Sequence, residues 1–399
     1  MEYKRLGDYI REVNVRNKDL KVTNLQGVSI SKQFIPSIAN TIGTDMSTYK
    51  VVNPGQFAYG PVTSRNGDKV SIALYKGDDD AIISQAYTVF EVIDSEQISS
   101  EYLMMWFQRP EFDRYARFHS HGSAREIFDW DELCGVYLPL PDIDRQREIV
   151  EEYETLSRRI RLNEQMIEKL EVTAQALYRK MFVDGIDKEN LPEGWRIGSI
   201  NELCLSTLGG DWGKDEPIDN YTAEVYCVRG ADIPYVSIGK TTSMPKRYIL
   251  SKNLKNKKLK DGDIVIEISG GTPTQSTGRS FYATDHFLQG IGVDLICSNF
   301  CRVITFEPEY RLYLYALIRN LYNKGVMFRY ENSSNGINNL DLESLMKEEE
   351  IVIPSKDKSI SYALEYQKII KYTNQKGQEI GKLSELQSLL LAKMGRLKQ

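Results

Sequence analysis

A long heptad stripe constrains this chain more than any other feature. Between Pro141 and Phe182, apolar residues recur at steps of three, four or seven, and Asn163 fills one slot. The stripe consists of Ile149, Tyr153, Leu156, Ile160, Ile167, Leu170, Ala174, Leu177 and Met181. Sustained spacing of this kind predicts a helix that packs along its length against another helix. We therefore expect one helix over 142–182, about 60 Å long at 1.5 Å per residue.

The stripe returns in weaker form near the C-terminus. Adding 213 to each position gives a second set of residues, which includes Tyr362, Tyr366, Ile369, Ile380, Leu383, Leu390 and Met394. Lys376 stands where Asn163 stands in the first stripe, and such polar seam residues can fix helix register. Gly377 also lies inside this stripe and costs about 1 kcal/mol relative to Ala, so the second helix (355–399) is expected to be less regular through its middle. We predict that the two helices pack antiparallel; the alternative is a solvated helix that caps its own domain.

The parts of the chain that precede each long helix repeat as well. Val22–Ile30 resembles Val225–Ile233, Tyr102-Leu103 matches Tyr313-Leu314, and Phe128-Asp129 resembles Leu340-Asp341. The offset between matching positions rises steadily from 191 to 213 along the chain. Loop insertions in the second copy would produce this rise, since insertions gather in surface loops. The chain is therefore interpreted as two related copies that are related by an internal pseudo-twofold axis.

Each copy combines strand and helix signals, which predicts an α+β fold. Helical spacing covers Ser100–Gln108 and Glu309–Leu321. Short β-branched and aromatic runs bounded by turn residues predict strands at Leu20–Val22, Val51–Tyr59, Val70–Leu74, Tyr87–Val92, Ile264–Ile268 and Phe300–Thr305. The predicted organisation is a first domain over 1–141, a long helix over 142–182, a polar linker over 183–193, a second domain over 194–354 and a second long helix over 355–399.

Composition bounds the class of protein. A chain of 399 residues with 27% charged side chains favours two globular domains, and no run is long and apolar enough for a membrane helix. The N-terminus shows no secretory signal, so we expect a cytoplasmic protein with its five cysteines reduced. The net charge of −5 argues against a protein that coats nucleic acid, although Lys246–Lys260 contains seven basic residues and no acidic one.

Catalytic motifs are absent from the sequence. It contains neither a Walker loop nor a dinucleotide fingerprint. The string Asn53-Pro54-Gly55-Gln56 departs from the Asn/Asp-Pro-Pro-aromatic motif of adenine methyltransferases, and Ser269 stands where a nuclease would carry lysine after Glu267. His119, His121 and the Cys297/Cys301 pair lack partners at metal-ligand spacing. We therefore expect no catalytic residues, no metal and a binding scaffold.

Polar loops provide the candidate binding residues. Ser269–Arg279 offers small residues, hydroxyls, an amide and an arginine, and its counterpart in the first copy is Gly60–Lys69. Arginine pairs with guanine edges or phosphates, and glutamine or asparagine pairs with adenine. The predicted DNA contacts are Arg65, Asn66, Lys69, Arg125, Lys246, Arg247, Thr274, Gln275, Arg279, Asn332 and Asn335. The alternative is that these residues form ordinary solvated turns.

The whole chain resembles the specificity subunit of type I restriction-modification systems. The resemblance rests on the doubled architecture and on two phrases, LPLPDIDRQREIVEEYETLSRRIRLNEQMIEKLEVTAQALYRKMF at 138–182 and GDIVIEISGGTPTQSTGR at 262–279. It implies that each globular copy reads one half of a split DNA site and that the helices set the gap. It also implies docking of two methyltransferase subunits, which carry S-adenosylmethionine, and of a translocase-nuclease subunit; this chain itself would hold no cofactor.

Two other classes of function remain open at this point. A stand-alone methyltransferase or nuclease is disfavoured because the expected motifs are missing. A coiled-coil assembly protein without a DNA role would use the same helices, and it would lack the steep salt dependence that phosphate contacts impose.

Overall fold

The structure, a computed structural model, describes residues 3–37, 43–64, 67, 69–122, 126–241, 244–272, 274–334 and 337–395. The chain forms two compact units. Unit 1 comprises 1–158 together with 383–399, and unit 2 comprises 159–382. Each unit therefore contains one globular α+β domain and a part of both long helices. The division cuts through both long helices and places the segment 183–193 in unit 2.

Helices form in each of the four stretches for which periodicity predicts one, and shorter helices form elsewhere. They are α1 (Ser100–Gln108), α2 (Pro110–Phe118), α3 (Trp130–Cys134), α4 (Ile143–Phe182), α5 (Ile233–Val236), α6 (Ser251–Lys257), α7 (Asp285–Ile291), α8 (Arg311–Asn323), α9 (Leu342–Glu348) and α10 (Lys356–Met394). Short 3-10 helices lie at Leu6–Asp8, Met46–Thr48, Ile200–Leu203, Gly230–Asp232 and Val326–Tyr330. At the start of α4, Asp142 accepts a hydrogen bond from the backbone N–H of Arg145, so the helix begins at a side-chain cap.

Short strands make up the rest of each domain. Those of unit 1 are β1 (Tyr3–Arg5), β2 (Ile10–Val13), β3 (Gln26–Val28), β4 (Phe34–Pro36), β5 (Lys50–Val52), β6 (Phe57–Gly60), β7 (Ser71–Leu74), β8 (Ala81–Ile83), β9 (Thr88–Val92) and β10 (Tyr137–Pro139). Those of unit 2 are β11 (Arg196–Ser199), β12 (Cys204–Gly209), β13 (Tyr221–Val228), β14 (Lys246–Leu250), β15 (Ile264–Glu267), β16 (Ser269–Gly270), β17 (Ser280–Tyr282), β18 (Leu295–Cys297), β19 (Cys301–Phe306), β20 (Glu331–Ser334), β21 (Ile337–Leu340) and β22 (Glu350–Ile353).

The main sheets of the two units have corresponding strand orders. The main sheet has the order β2-β9-β6-β7 in unit 1 and β12-β19-β15-β17 in unit 2. The first strand of each copy pairs with its last, as β1 with β10 and β11 with β22. A parallel bridge joins Leu25 to Ile82 in unit 1, and the same kind of pairing joins Val228 to Cys297 in unit 2. Both copies therefore fold on one plan, as the rising sequence offset indicated.

Each unit builds its core from the sheet, its helices and the long helices. In unit 1, Ile149 of α4 and Met394 of α10 are buried in the same cluster as Phe57 and Phe107. In unit 2, the Phe182 ring contacts the rings of both Tyr313 and Tyr362, with centroids 4.8 and 5.0 Å apart. Within each unit, a stretch of α4 packs on a stretch of α10.

Polar contacts give the direction of this packing. In unit 1, Gln387 donates to the Ser157 hydroxyl at 2.7 Å, and in unit 2, Arg159 donates to Glu379 at 2.6 Å. The start of α4 thus lies with the end of α10 in unit 1, and the end of α4 lies with the start of α10 in unit 2. None of the predicted seam residues, all of which lie in the described ranges, is exposed, and Asn163 is buried to 3% exposure.

Three sequence predictions were wrong. No strand forms over Leu20–Val22, because the Asn17 side chain takes both backbone hydrogen bonds of Val22. The predicted run Val51–Tyr59 is two strands, β5 and β6, separated by a turn in which Gly55 has a φ of +87°.

The third wrong prediction is that the second long helix is less regular through its middle: α10 stays a single helix through Gly377. A Cβ at that position would collide with the carbonyl oxygen of Ile238, also in unit 2. The glycine therefore serves close packing and does not interrupt the helix.

Candidate nucleic-acid interface

In unit 1, the loops after α2 and after β6 form an exposed polar edge, which we call the first rim (61–64, Lys69 and 118–122). Phe118 is 83% exposed at the end of α2. Next to it, His119 Nδ1 and His121 Nε2 each lie 3.6 Å from a different oxygen of Glu132. Bridges from Ile127 to Val62 and to His121 join the two loops. The first rim therefore presents an aromatic ring and two imidazoles to solvent.

The second rim is the equivalent edge of unit 2, formed by the sheet β16-β21-β20 and by residues 271, 272, 274 and 275. Ser269 pairs with Asn339, and its hydroxyl lies 2.6 Å from the Asn339 side-chain oxygen. Asn332 pairs with Asn339 from the other side and is exposed. The Ser269–Asn339 pair occupies the place of the Val62–Ile127 bridge in unit 1. The same backbone frame therefore carries different side chains in the two units.

A pocket of about 570 Å³ opens beside the second rim. Its lining includes Trp212, Arg229, Glu267, Gln275, Arg279 and Phe300. Gly270 and Gly271 form part of its wall with φ values of +141° and +75°, a conformation that glycine adopts without strain. A cavity of this size with aromatic and polar walls falls in the range of small-ligand sites.

A buried ion pair forms one side of this pocket. Arg279 donates through Nε and Nη2 to the two carboxylate oxygens of Glu267, at 2.8 and 2.6 Å. Glu267 is 2% exposed, and its hydrogen bonds raise the pKa of Arg279 further above its ordinary value. A forked pair of this kind fixes both side chains in one geometry. In this structure, Arg279 therefore organises the pocket.

Arg247 is also held inside unit 2. It is 5% exposed, pairs with Asp215 and donates through Nε to the Trp212 carbonyl at 2.7 Å. Its guanidinium carbon lies 4.4 Å from the centre of the Trp212 ring. Arg247 thus fixes the orientation of Trp212, and its neighbour Lys246 pairs with Glu224 at 2.8 Å.

Helix α6 places a basic surface next to the pocket. Lys252 and Lys255 are exposed on this helix. Asn253 and Lys257 anchor it to the segment before Trp212, through bonds to Asp211 at 2.8 Å and to the Gly210 carbonyl at 2.7 Å. A basic helix anchored to the segment before one wall of a recess that contains aromatic and amide groups is suited to binding a polyanion with planar bases.

The predicted contact residues lie in several different environments. Lys69 lies exposed at the first rim, and Thr274, Gln275 and Asn332 lie exposed at the second. Arg65, Asn66, Arg125 and Asn335 lie outside the described residues. Sequence reasoning missed the exposed rings Phe118, Trp212 and Phe300; the only signal was an aromatic residue within a polar, turn-rich stretch. Whether any of these residues touches DNA stays a prediction.

Within the described ranges, no group of three or more His, Cys, Asp or Glu side chains is arranged to hold a metal ion. Burial raises the pKa of the Cys227 and Cys297 thiols to about 12, which disfavours the thiolate needed for nucleophilic chemistry. A search of the helices in the described part of the chain finds none with the length and apolarity to cross a membrane.

Comparison with known proteins gives one family and several related folds. The family model described as "Type I restriction modification DNA specificity domain" matches residues 31–172 and again 192–382. The S subunit of a type I restriction-modification system from M. genitalium aligns with a TM-score of 0.58 at 11% identity, over 100% of this chain and 96% of that one.

Two further solved structures align less closely. A chain from a study of type I R-M complex assembly has a TM-score of 0.47 at 16% identity, over 100% of this chain and 98% of that one. The HsdS subunit from Thermoanaerobacter tengcongensis has a TM-score of 0.37 at 17% identity, over 100% of this chain and 97% of that one. No curated protein matches the sequence significantly.

Proposed function

The chain belongs to the family of type I restriction-modification DNA specificity domains, and we propose that its two units read the two halves of a split DNA site. The first rim contacts one half and the second rim the other. The chain itself is non-catalytic, and the reaction on DNA is carried out by partner subunits.

One observation carries this proposal: two units with the same strand order present equivalent edges with different side chains. The edge of unit 1 carries Lys69, Phe118 and His121, whereas that of unit 2 carries Gln275, Asn332 and Asn339. A conserved backbone frame places side chains at a constant distance from DNA, and variation at its edge changes the bases that are read. Two unlike edges on one chain are therefore suited to an asymmetric, two-part sequence.

The long helices supply the other half of the function. We assign α4 and α10 as an antiparallel coiled coil that holds the rims at a fixed separation and docks two methyltransferase subunits. Two modules joined by a rigid spacer bind as a linked pair, with a large effective concentration only when the spacing of the site matches. The methyltransferase subunits would bring S-adenosylmethionine, and a translocase-nuclease subunit would complete the restriction complex.

The experiment is to express the chain with its methyltransferase subunits and to map methylated adenines across a genome. The expected result is one bipartite motif with a constant gap. Asn332→Ala combined with Gln275→Ala should relax only one half of that motif, and His121→Ala should affect only the other. A single undivided motif, or no DNA methylation that depends on this chain, would contradict the proposal.

A further inference from the structure

One wall of the pocket beside the second rim carries side chains that the matching described strands of unit 1 do not have. Sheet pairing places Gly60 and Ser71 at the cross-strand position that Glu267 and Arg279 occupy in unit 2. Gly60 has no side chain that could supply a carboxylate, and a Cβ at this position would lie 3.2 Å from the Tyr87 ring. The Glu267–Arg279 pair that forms the charged side of the pocket is therefore a property of unit 2 that these strands of unit 1 do not share.

Two aromatic rings line the pocket while remaining open to solvent. Phe300 is 58% exposed and Trp212 39% exposed. Single exposed rings are common on protein surfaces, but exposed rings grouped at one recess can mark a ligand-binding surface. Both are held in place: the Phe300 carbonyl accepts the N–H groups of Ile268 and Ser269 at 2.8 and 3.2 Å, and Arg247 packs on Trp212.

Polar groups converge on the same space. Gln275 is exposed, and its amide nitrogen lies 3.4 Å from the Tyr322 hydroxyl, so its carbonyl oxygen remains able to accept. The Glu267 carboxylate uses two of its acceptor positions on Arg279 and has others. An amide and a carboxylate beside aromatic rings are the groups that recognise the edge and the face of a nucleobase.

We propose that this pocket binds one nucleobase of the target DNA after that base has left the duplex stack. The base would stack on Phe300 and Trp212 and bond along its edge to Gln275 and Glu267, while Lys252 and Lys255 of α6 neutralise neighbouring phosphates. The inference rests on the proposed reading of DNA by unit 2, and it adds that one position of its half-site is read outside the helix.

The test uses the assembled complex with its methyltransferase subunits and duplexes that carry its mapped site. A single mismatch is placed in turn at each position of the half-site that unit 2 reads, leaving out the methylated adenine. In each duplex, only the base on the opposite strand is changed. A mismatch removes the pairing that a captured base must break, and so it strengthens binding. The expected result is a Kd at least about fivefold lower at one position and unchanged or higher Kd values at the others.

Variants identify the pocket as the cause. Phe300→Ala and Gln275→Ala should abolish the tightening at that position. Phe328→Ala is the matched control, because Phe328 is a 43% exposed ring of the same unit that does not line the pocket. It should leave the tightening intact.

Two results would overturn the inference: a half-site in which no mismatch tightens binding, or a tightening that persists in Phe300→Ala. Both leave the reading of a bipartite site intact. Failure of the complex to bind any specific site would instead contradict the proposed function itself.

Discussion

Tyr102 donates its hydroxyl hydrogen to the carbonyl of Pro139 at 3.0 Å, and Tyr313 makes the same bond to Val352 in the other unit. Tyr102 lies on α1 and Tyr313 on α8, and each ties its helix to the strand that precedes a long helix. A second contact repeats nearby: Gln146 donates to the Gln97 carbonyl in unit 1, and Ser359 donates to the Glu309 carbonyl in unit 2. The junction between domain and long helix is therefore built the same way twice.

Removing this tyrosine bond should destabilise unit 1. Tyr102→Phe deletes the hydroxyl of a fully buried side chain and leaves a buried carbonyl with one partner fewer. We expect the free energy of unfolding to fall by about 1 kcal/mol, measured by urea denaturation. Tyr137→Phe is the control, since Tyr137 is 59% exposed on β10, and it should change stability by less than about 0.5 kcal/mol. Equal effects of the two substitutions would contradict a structural role for the hydroxyl.

Alanine substitutions at two glycines of α10 should change the free energy of unfolding in opposite directions. Gly377→Ala places a methyl group against the Ile238 carbonyl and should destabilise the protein by about 1–3 kcal/mol. Gly381→Ala meets nothing within 4 Å and should stabilise it by up to about 1 kcal/mol, because alanine is the better helix former. Denaturant unfolding of both variants measures the difference. A stabilised Gly377→Ala protein would show that α10 does not approach the 233–240 segment as described.

Glu379 should make stability depend on acid pH. Hydrogen bonds from Arg159, then Lys376, lower its pKa from the ordinary 4.5 to about 2. Because the folded-state pKa is the lower one, this contribution is complete above about pH 4.5 and is lost as the pH falls towards 2. The difference in unfolding free energy between the wild type and Glu379→Gln should therefore shrink across that interval in urea titrations. A difference that is the same at pH 6 and at pH 2 would argue against the ion pair.

Lysines of α6 should contribute to the salt dependence of DNA binding. If Lys252 and Lys255 contact phosphates, Lys252→Gln and Lys255→Gln should each reduce the slope of log K against log salt by roughly 1. Fluorescence anisotropy of the assembled complex with its site over a salt series gives this slope. Lys368→Gln is the control: Lys368 is exposed on α10 in the same unit and pairs with Glu365. An unchanged slope in both α6 variants would place the phosphates elsewhere.

The sequence predicted the long-range organisation well because that organisation rests on periodicity. The stripe and the proline at 141 place α4 within a residue of its observed start, and α1 has the predicted bounds. A heptad pattern indicates which residues of a helix avoid water without specifying what covers them, so it predicts where a long helix lies better than it predicts individual contacts.

Individual site residues were less predictable, because the sequence does not show whether a charged side chain faces a ligand or pairs with another residue of the protein. Arg247 and Arg279 pair with Asp215 and Glu267, and nothing in the sequence around either arginine indicates these partners. The pocket brings together Trp212 and Phe300, which are far apart in sequence, and only strand pairing places them on one recess. Tertiary juxtaposition of this kind leaves no local pattern.

The proposed ruler function predicts that helix length sets the gap in the DNA site. Inserting one heptad into both α4 and α10 next to the Arg159–Glu379 pair preserves the seam and lengthens the spacer by about 10 Å. At 3.4 Å per base pair, the gap in the methylated motif should widen by about three base pairs. Methylation mapping of the modified complex measures it directly.

The matched control inserts the same seven residues into the linker 183–193, where the structure shows neither helix nor strand. This insertion adds chain without lengthening the helix pair, so the gap should keep its original value. A gap that stays constant in the helix variant, or one that changes equally in the linker variant, would mean that the separation of the half-sites is set by something other than α4 and α10.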